Sequence, residues 1–449
     1  MSSISPIDGR YKKNVSELDG YFSEQALMRY RVFVEVKYLI NLADHKSFEK
    51  IKSLRKKDVD FLVGLFENFS PKDFNQIKRI EAKTKHDVNA VVGFISQKLV
   101  QINRSDLTPL VHFGLTSEDI NNTAYSLMVK DATKNVLLPE IKNTLGVLKK
   151  LSKKHAALPV LSLTHGQPAT TSTLGKEIAV FYNRAERQML QISSAKFLAK
   201  FSGATGSYAA HSVAFPQFSW RSFSRKFIRS LGLVQNPITT QVEPADSLAE
   251  HLHSYVRLNN ILLDFTIDMW LYISRNVFIQ KKKGGEVGSS TMPHKINPIF
   301  FENAEGNLEL ANNNFEFLSS RITRSRLQRD LSGSTIFRNI GVGFAHSLLA
   351  YKNLSNGISR LAVNKKQLSV ELENNWSVLA EAVQTILRKS GDVNAYDKIK
   401  KLTRGKPLSK ESYLSMVNSL DISKKDMDVL LCLTPSNYLG ELKKIMGDF

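Results

Sequence analysis

The chain has 449 residues, of which 42% are hydrophobic and 23% are charged, a composition typical of a globular protein with two or three domains. Its only cysteine, Cys432, excludes an intrachain disulfide and favours a reducing compartment, so we expect a cytoplasmic protein. A proline and two charged residues within 6–10 argue against a signal peptide, and two aspartates in the most apolar stretch, 261–273, argue against a membrane span.

The formal net charge of +20 makes nucleic acid one candidate partner. Lysines and arginines cluster at 46–57, 321–329 and 398–410, but no zinc-finger spacing, helix-turn-helix signature or aromatic RNA motif accompanies them. We therefore interpret these clusters as a solvated basic surface that can also steer an anionic substrate, and we expect no specific nucleic acid. A non-catalytic, basic nucleic-acid-binding protein remains the alternative from a different class.

Along the chain, the hydrophobic periodicity is helical nearly everywhere. Apolar residues recur every three or four positions from Leu27 to Leu42, from Leu174 to Ile192 and over the longest stretch, Asp246 to Ser274. Long apolar stripes of this kind are typical of bundle helices that bury one side against neighbouring helices. The sequence therefore predicts an all-α fold with a central bundle of long helices and only a few short strands.

Two soft boundaries divide the chain into three predicted domains. They separate an N-terminal helical domain, 1–108, a central long-helix bundle, 109–363, and a C-terminal helical domain, 364–449. The last domain is predicted to begin with a helix through Trp376 that stops at Gly391, followed by a basic and more irregular segment.

The first motif that could carry chemistry is Lys83-Thr84-Lys85-His86-Asp87. Asp87 could orient the imidazole of His86, and the neighbouring lysines could attract an anion. On its own the motif is a weak signal, because a solvated charged face explains it equally well.

The second motif is Leu115-Thr116-Ser117-Glu118-Asp119-Ile120-Asn121. Thr116 or Ser117 is predicted to cap a helix whose first turn is acidic, and ordinary capping explains the motif completely. The functional alternative is that the positive end of this helix and both hydroxyls receive a substrate carboxylate.

The third motif is Ser162-Leu163-Thr164-His165-Gly166-Gln167-Pro168-Ala169-Thr170. His165 lies in a predicted turn just before a long amphipathic helix, which leaves its imidazole accessible beside a rigid neighbour. A surface-loop histidine without function is the alternative, although the density of polar and turn residues favours a site.

The most informative motif is Gly288-Ser289-Ser290-Thr291-Met292-Pro293-His294-Lys295-Ile296-Asn297-Pro298. It is predicted to be a loop that can close, because the preceding Gly284-Gly285 pair makes the backbone permissive. A loop that brings a serine and a lysine together suits removal of a proton from carbon beside a carboxylate, since the carbanion needs a cation and hydrogen-bond donors.

The last motif combines 326–330, which holds two arginines, with Ser334-Thr335-Ile336-Phe337-Arg338. Paired guanidinium groups with nearby hydroxyls are suited to a phosphate. Other chemistries have little support: His251 and His253 point in different directions on a predicted helix, and neither a phosphate-binding Gly-Lys-Ser/Thr loop nor a Gly-x-Ser-x-Gly elbow occurs.

The loop at 288–297 resembles the signature of the fumarase/aspartase superfamily. Within that superfamily the chain is similar to the bacterial-type adenylosuccinate lyase family, from Ser5-Pro6-Ile7-Asp8-Gly9-Arg10-Tyr11 to Thr434-Pro435-Ser436-Asn437-Tyr438. The resemblance implies an all-helical homotetramer whose active sites each draw on three subunits. It also implies release of fumarate by β-elimination from two purine nucleotides, adenylosuccinate and the succinyl-carboxamide ribotide SAICAR, without a metal or organic cofactor and without a membrane partner.

The same resemblance implies roles for individual residues. Ser289 would be the general base that removes the proton from the succinyl carbon, and His165 the general acid that protonates the departing nitrogen. Lys295 and Asn297 would hold the carboxylate on which negative charge accumulates. The other implied substrate contacts are Arg10, Tyr11, Lys85, His86, Asp87, Thr116, Ser117, Gln241, Ser290, Ile296, Asn303, Arg329, Ser334, Thr335, Ile336, Phe337 and Arg338.

Two points leave alternatives open. Gly333 stands where the family pattern has an acidic residue, which makes the loop conformation before Ser334 uncertain. Argininosuccinate lyase shares the signature loop and also releases fumarate, so it is the nearest rival. The substrate of that enzyme carries no phosphate, however, so Arg10, Tyr11 and the arginines between 329 and 338 would have no role in binding it.

Overall fold

In the computed structural model of this protein, the described residues are 4–45, 48, 54–281, 292, 294–403 and 408–449. Most of them are helical, which confirms the predicted all-α class. The helices are α1 Lys12–Val15, α2 Asp19–Phe22, α3 Glu24–Ala43, α4 Lys56–Glu67, α5 Pro71–Thr84, α6 Asp87–Gln101, α7 Ser117–Ala132, α8 Leu138–Lys154, α9 Leu174–Ser193, α10 Ala209–Ala214, α11 Trp220–Ser230, α12 Asp246–Ser274, α13 Ile299–Ile322, α14 Ser332–Phe337, α15 Ile340–Ser359, α16 Lys365–Glu373, α17 Ala380–Lys389, α18 Ala395–Thr403, α19 Lys410–Asn418, α20 Lys424–Leu431 and α21 Leu442–Gly447.

Short strands accompany the helices, as predicted. Over the described ranges they form three two-stranded sheets, of which β1–β2 and β5–β6 are antiparallel and β3–β4 is parallel. The strands are β1 Pro159–Thr164, β2 Gln167–Thr173, β3 Leu198–Ala199, β4 Val234–Gln235, β5 Phe278–Gln280 and β6 Leu361–Val363.

One compact unit comprises 1–141, 187–260 and 306–351. Within it α3 packs against α7 and α4, while α5 pairs with α6. The fully buried ring of Tyr255 on α12 meets that of Phe344 on α15 edge to face, with the ring centroids 5.0 Å apart. Aromatic pairs of this kind add about 0.5–1.5 kcal/mol beyond the apolar area that they bury.

The second compact unit comprises 142–186, 261–305 and 352–449. Its C-terminal helices surround a core of their own, in which the buried rings of Trp376 and Tyr413 lie 5.5 Å apart. The β1–β2 hairpin rests on this core, because β1 contributes the buried side chain of Leu161 to it.

The base of the β1–β2 hairpin is fixed by a close approach of α9 to the end of α8. Ser152 Oγ donates a hydrogen bond to the Gly175 carbonyl at 2.7 Å, and the Gly175 N–H donates to the His155 carbonyl at 2.9 Å. A Cβ on Gly175 would meet the Ser152 carbonyl oxygen and would lie 2.5 Å from Ala156 Cα, so only glycine permits this packing.

The predicted long helices are confirmed: α3 covers Leu27 to Leu42, α9 covers Leu174 to Ile192, and α12 has the predicted bounds. The prediction of one helix through Trp376 is wrong, because α16 ends at Glu373 and a 3-10 turn, Trp376–Leu379, precedes α17. The boundaries at 108 and 363 remain a prediction. Among the described helices, none is both long and apolar enough to cross a membrane.

We predict opposite effects of alanine at two glycines of this region. Gly175→Ala should destabilise the protein by about 1–3 kcal/mol, the usual cost of overpacking, because the added methyl group meets backbone atoms that cannot move freely. Gly146→Ala should be neutral or stabilising by up to about 1 kcal/mol, since Gly146 lies inside α8 with no atom near its missing Cβ. Denaturant unfolding at fixed protein concentration measures both, and equal midpoints for the two variants would contradict the packing argument.

Candidate active site

His86 lies at the junction of two helices. Lys85 ends α5 in the left-handed conformation, with φ of 56°, and His86 caps α6. The His86 Nδ1 accepts a hydrogen bond from the Asn89 N–H at 3.2 Å, which leaves Nε2 to face the Ser117 hydroxyl at 3.4 Å. Because Nδ1 accepts, the neutral imidazole carries its proton on Nε2 and presents a donor.

Asp87 does not orient His86, contrary to the prediction. Its nearest carboxylate oxygen is 3.9 Å from His86 Nδ1, beyond a hydrogen bond. Instead, Oδ2 binds Nη2 of Arg31 at 2.9 Å and Nη2 of Arg338 at 2.7 Å, while Oδ1 accepts from the Val88 N–H at 2.8 Å. Asp87 therefore joins two guanidinium groups from distant parts of the chain.

The electrostatics of Asp87 follow from these partners. Burial raises the pKa of its carboxyl, but the cations Arg31 and Arg338 and the Val88 N–H favour the ionised form more strongly. The result is a pKa below the usual value, so the carboxylate stays charged and holds both arginines at neutral pH.

From Arg31 the polar contacts continue across α7. The Arg31 Nε donates to the Asn121 Oδ1 at 3.0 Å, and the Asn121 Nδ2 donates to the Glu118 Oε1 at 3.0 Å. The same Glu118 oxygen binds Nη2 of Arg329 at 3.0 Å, and the Arg329 Nη1 donates to the Gln241 Oε1 at 3.2 Å.

These contacts form one connected set, which we call the arginine network. Its members are Arg338, Asp87, Arg31, Asn121, Glu118, Arg329 and Gln241. Four of the seven are predicted site residues, and the structure brings them together through three others. The network presents Arg338, whose side chain is 41% exposed, beside the almost fully buried Arg31.

A pocket lies against the arginine network, between α7 and the 322–338 segment. Its walls include Arg31, Glu118, Ser334 and the stacked rings of Tyr125 and Phe337, whose centroids are 5.0 Å apart. Charged donors at one side and aromatic rings at another are what a molecule with both an anionic and a flat apolar part requires.

The start of α7 is held by a fully buried ion pair. Thr116 is its N-cap, as predicted, and the Thr116 N–H donates to the Asp119 carboxylate at 2.9 Å. Asp119 also binds Nζ of Lys200 at 2.9 Å, and neither side chain is exposed. The Ser202 N–H donates to Asp119 as well, at 2.9 Å, so this carboxylate stabilises the fold.

A second buried carboxylate supports the loop before α7. Glu35, fully buried on α3, contacts Nδ1 of His112 at 2.5 Å, and His112 has a left-handed backbone with φ of 59°. Burial lowers the pKa of His112, but the bond to Glu35 raises it more, so the net direction is upward. The contact with Glu35 therefore favours the protonated form of His112.

In the second compact unit, His165 occupies the tip of the β1–β2 hairpin. Thr164 pairs with Gln167, so His165 and Gly166 form a two-residue turn, and both have positive φ, 54° and 72°. This is the geometry of a type I′ turn, whose first central residue is usually Asn, Asp or Gly, so a histidine there is uncommon. The imidazole is exposed and, within the described ranges, makes no hydrogen bond or ion pair.

The signature loop is described only in part. Ser289 and Ser290, the predicted base and its neighbour, lie outside the described residues. The exposed Lys295 follows a turn in which its N–H donates to the Met292 carbonyl at 3.0 Å, and the Ile296 carbonyl accepts from Gln280 at 3.0 Å. Asn297 follows this turn. Asn303, on α13, accepts a hydrogen bond from Asn353 at 2.6 Å.

The remaining predicted residues lie in the first unit. Arg10 and Tyr11 form a turn in which the Tyr11 N–H donates to the Pro6 carbonyl at 2.9 Å. Thr335 and Ile336 belong to α14 together with Ser334 and Phe337. Gly333 fits this helix without special geometry, since a Cβ there would meet nothing within 4 Å. The absence of an acidic residue at 333 thus leaves the local backbone intact.

The sequence argument missed Arg31, Asn121 and Glu118. One signal in the sequence could have identified Arg31. Arg31 and Glu35 interrupt an otherwise apolar stretch of α3, and in the structure both are fully or almost fully buried. Charged residues are rarely buried unless they are paired, so a partner elsewhere in the chain was implied. Asn121 and Glu118 lie in a motif that helix capping explains, so the motif offered no reason to expect that they also contact arginines.

Comparisons with known proteins agree with these motifs. The family described as Lyase matches residues 9–310, and the one described as Adenylosuccinate lyase C-terminal matches residues 325–439. The adenylosuccinate lyase of Buchnera aphidicola subsp. Schizaphis graminum is 45% identical over 449 residues, covering 100% of this chain and 98% of that protein. The adenylosuccinate lyase of Escherichia coli K12 is 44% identical over 441 residues, covering 98% and 97%.

Solved structures show the same fold at lower identity. A fumarate lyase from Mesorhizobium sp. BNC1 matches with a TM-score of 0.75 and 18% identity, covering 96% of this chain and 97% of that one. A 3-carboxy-cis,cis-muconate lactonizing enzyme from Pseudomonas putida matches with a TM-score of 0.74 and 18% identity, covering 96% of each chain.

We predict that Asp87→Asn lowers the free energy of unfolding at neutral pH by about 2 kcal/mol, because Arg31 loses its carboxylate while remaining buried. This is less than the ~3–5 kcal/mol lost at fully buried pairs, since the Asp87 side chain is 20% exposed. The folded-state pKa of Asp87 lies below the unfolded value of about 3.9. Its contribution is therefore complete above that pH and is lost as the pH falls through the folded-state pKa, so the difference between the two proteins should begin to shrink below about pH 4 and disappear below the folded-state pKa.

Denaturant unfolding between neutral and acidic pH tests this prediction. Asp397→Asn is the matched control, because Asp397 is an exposed acid in the first turn of α18 and makes no ion pair among the described residues. The control should lose only about 0.3–1 kcal/mol, the contribution of an acid at the N-terminus of a helix. A difference at Asp87 that does not depend on pH would refute the ionic explanation.

Proposed function

Since the chain belongs to the adenylosuccinate lyase family of lyases, we propose that it releases fumarate by β-elimination from adenylosuccinate, giving AMP, and from SAICAR, giving the aminoimidazole carboxamide ribotide. The observation that carries the proposal is the arginine network, which joins Asp87, Arg329 and Arg338 within one unit. A nucleotide with a phosphate and two carboxylates is the kind of polyanion that such a set of cations and hydroxyls recognises.

The proposed reaction breaks a C–N bond without any oxidant or reductant. A base removes a proton from the succinyl carbon beside one carboxylate, and the electron pair left on that carbon forms the double bond of fumarate. The C–N bond electrons go to the departing nitrogen, which takes a proton from an acid. Base and acid exchange their protons with water before the next turnover, so the reaction is balanced.

We assign the base to Ser289 and the acid to His165, as the family resemblance implies. A serine hydroxyl is a weak base in water, so it depends on cations and N–H donors that stabilise its alkoxide, and Lys295 is a candidate cation. The exposed position of the His165 imidazole supports its assignment, since a group without internal partners is free to donate its proton to a bound substrate.

His86 has a different proposed role. Its Nδ1 is occupied by the Asn89 N–H, so its Nε2–H is a donor that faces the Ser117 hydroxyl. A fixed donor beside a hydroxyl is better suited to binding a carboxylate or phosphate oxygen than to repeated proton transfer. We therefore propose that His86, Thr116 and Ser117 bind the substrate and that His165 does the acid chemistry.

We place the phosphate among the arginines and hydroxyls of 329–338. The Arg329 guanidinium already binds a carboxylate, that of Glu118, at 3.0 Å, and the Arg338 guanidinium binds Asp87 at 2.7 Å. Each arginine has five N–H donors, so a phosphate can take those that the carboxylates leave. Lys85, Gln241, Arg10 and Tyr11 would add further contacts.

We also propose a cytoplasmic homotetramer that shares its active sites between subunits and comprises the three domains 1–108, 109–363 and 364–449. Large apolar side chains that are about half exposed support an assembly: Ile267, Trp270 and Leu271 on α12 in the second unit, and Leu310 and Phe317 on α13 in the first. Apolar surface of this kind on long helices is typical of subunit interfaces.

The proposal predicts fumarate release from adenylosuccinate and SAICAR and none from argininosuccinate, measured side by side in a spectrophotometric assay. His165→Gln should lower kcat by about 10²–10⁴-fold, the usual contribution of a general acid, while KM changes by less than about tenfold. Ser289→Ala should abolish turnover with the same small change in KM.

His253→Gln is the matched control, because His253 is an exposed histidine of α12 and should leave kcat unchanged. Turnover of argininosuccinate alone would favour the rival lyase. Salt-dependent binding to nucleic acid with no fumarate release from any substrate would favour the non-catalytic alternative.

A further inference from the structure

The region from 187 to 242 is unusual in charge. These 56 residues contain seven lysines and arginines and neither aspartate nor glutamate, whereas the whole chain has 42 acidic residues in 449. One helix in this region, α11, carries four of the seven cations. The basic surplus of the chain therefore has one local source that the proposed reaction does not use.

Three of these cations form a line, which we call the arginine stripe: Arg221, Arg225 and Arg229. Residues four apart lie on the same face of a helix, about 6 Å apart along its axis, so the stripe is about 12 Å long. All three side chains are exposed, as is Lys226 beside them. Among the described residues, none of the four side chains makes a hydrogen bond or an ion pair.

Some other basic residues of the same unit, by contrast, have carboxylate partners. Arg31, Lys98 and Arg104, for example, all form ion pairs with carboxylates at 2.5–3.1 Å. Four unpaired cations on one helix repel one another and are stabilised when an external polyanion binds. Among the described residues, no carboxylate therefore pairs with the arginine stripe.

The opposite face of α11 fixes the helix firmly. Trp220, Phe227 and Ile228 are buried, and the Phe227 ring lies 4.8 Å from that of Phe201. Ser224, also buried, donates a hydrogen bond to the Phe201 carbonyl at 2.6 Å. The guanidinium groups therefore project from a rigid element, which lowers the entropic cost of binding.

The burial of these side chains also indicates which class of partner α11 can bind. The aromatic side chains Trp220 and Phe227 are enclosed, so α11 offers neither an apolar face for insertion into a bilayer nor a platform on which unpaired bases could stack. A row of arginines without such groups fits a regular line of phosphates, and one strand of a duplex carries a phosphate every ~3.4 Å along the axis. The stripe spans about three or four of them.

We propose that the arginine stripe of α11 is a sequence-independent binding surface for the phosphate backbone of duplex nucleic acid. This inference does not depend on the proposed lyase activity. With three or four phosphates contacted, the affinity should be weak, in the range of about 10⁻⁴–10⁻⁶ M at physiological salt. Plotted against the logarithm of salt concentration, the logarithm of the binding constant should fall with a slope of about −3 to −4.

The test is fluorescence anisotropy of a labelled duplex of about 15 base pairs, titrated with the full chain at several salt concentrations. The variant Arg221→Glu, Arg225→Glu, Arg229→Glu should weaken binding at low salt by more than about tenfold and reduce the slope by about three. Arg221→Gln, Arg225→Gln, Arg229→Gln is the milder version, which should show the same direction if the charge-reversed protein does not fold.

The matched control is Lys424→Glu, Lys425→Glu, Lys443→Glu, which makes the same change in net charge at exposed residues of the C-terminal helices. It should bind the duplex nearly as well as the unmodified chain. An equal loss in this control would show that net charge alone drives binding and would overturn the proposal. Tighter binding to a single strand of the same length, or binding only to vesicles of phosphatidylcholine and phosphatidylserine, would overturn it as well.

Discussion

The carboxylate of Asp87 is the contact on which the rest of the first unit's site depends. It binds the guanidinium groups of Arg31 at 2.9 Å and Arg338 at 2.7 Å through a single oxygen. Arg31 is only 3% exposed, so without this carboxylate a positive charge would lie buried and unpaired. The same contact fixes Arg338 at the surface, where a substrate phosphate could reach it. One interaction therefore serves both the stability of the fold and the proposed recognition.

The arginine network connects further side chains to this contact. Asn121 and Glu118 connect Arg31 to Arg329, and each of these side chains bonds to its neighbours in the network. The buried pair of Asp119 and Lys200 fixes the start of α7, where Ser117 lies. Polar groups held in this way need little rearrangement on binding, which favours both affinity and rate.

Sequence reasoning predicted the helices well where one apolar stripe dominates. The bounds of α12 follow from its periodicity, whereas the break before Trp376 depends on the short turn at Asn374 and Asn375, which no apolar pattern reveals. Motifs identified Asp87 and Arg338, but not that they touch, because 251 positions separate them and the contact exists only after folding.

The same limit explains what was missed. Arg31 was hidden in an apolar stretch, and its partners Asp87 and Asn121 come from other helices. Pairings of this length cannot be derived from spacing, since they depend on how α3, α6 and α7 pack. The role of Asp87 was mistaken for a related reason: its nearest neighbour in sequence, His86, is not its partner in space.

The central claim is that the arginine network acts as one unit in holding the substrate. A double-mutant cycle tests it most directly: KM for adenylosuccinate is measured for the unmodified chain, Asp87→Asn, Glu118→Gln and the double variant. The account predicts that the two substitutions are coupled by about 1–3 kcal/mol, because Asn121 hydrogen-bonds to both Arg31 and Glu118 and so connects the arginines that the two carboxylates hold. Effects that add to within about 0.3 kcal/mol would contradict it, since they would mean that the two carboxylates act independently.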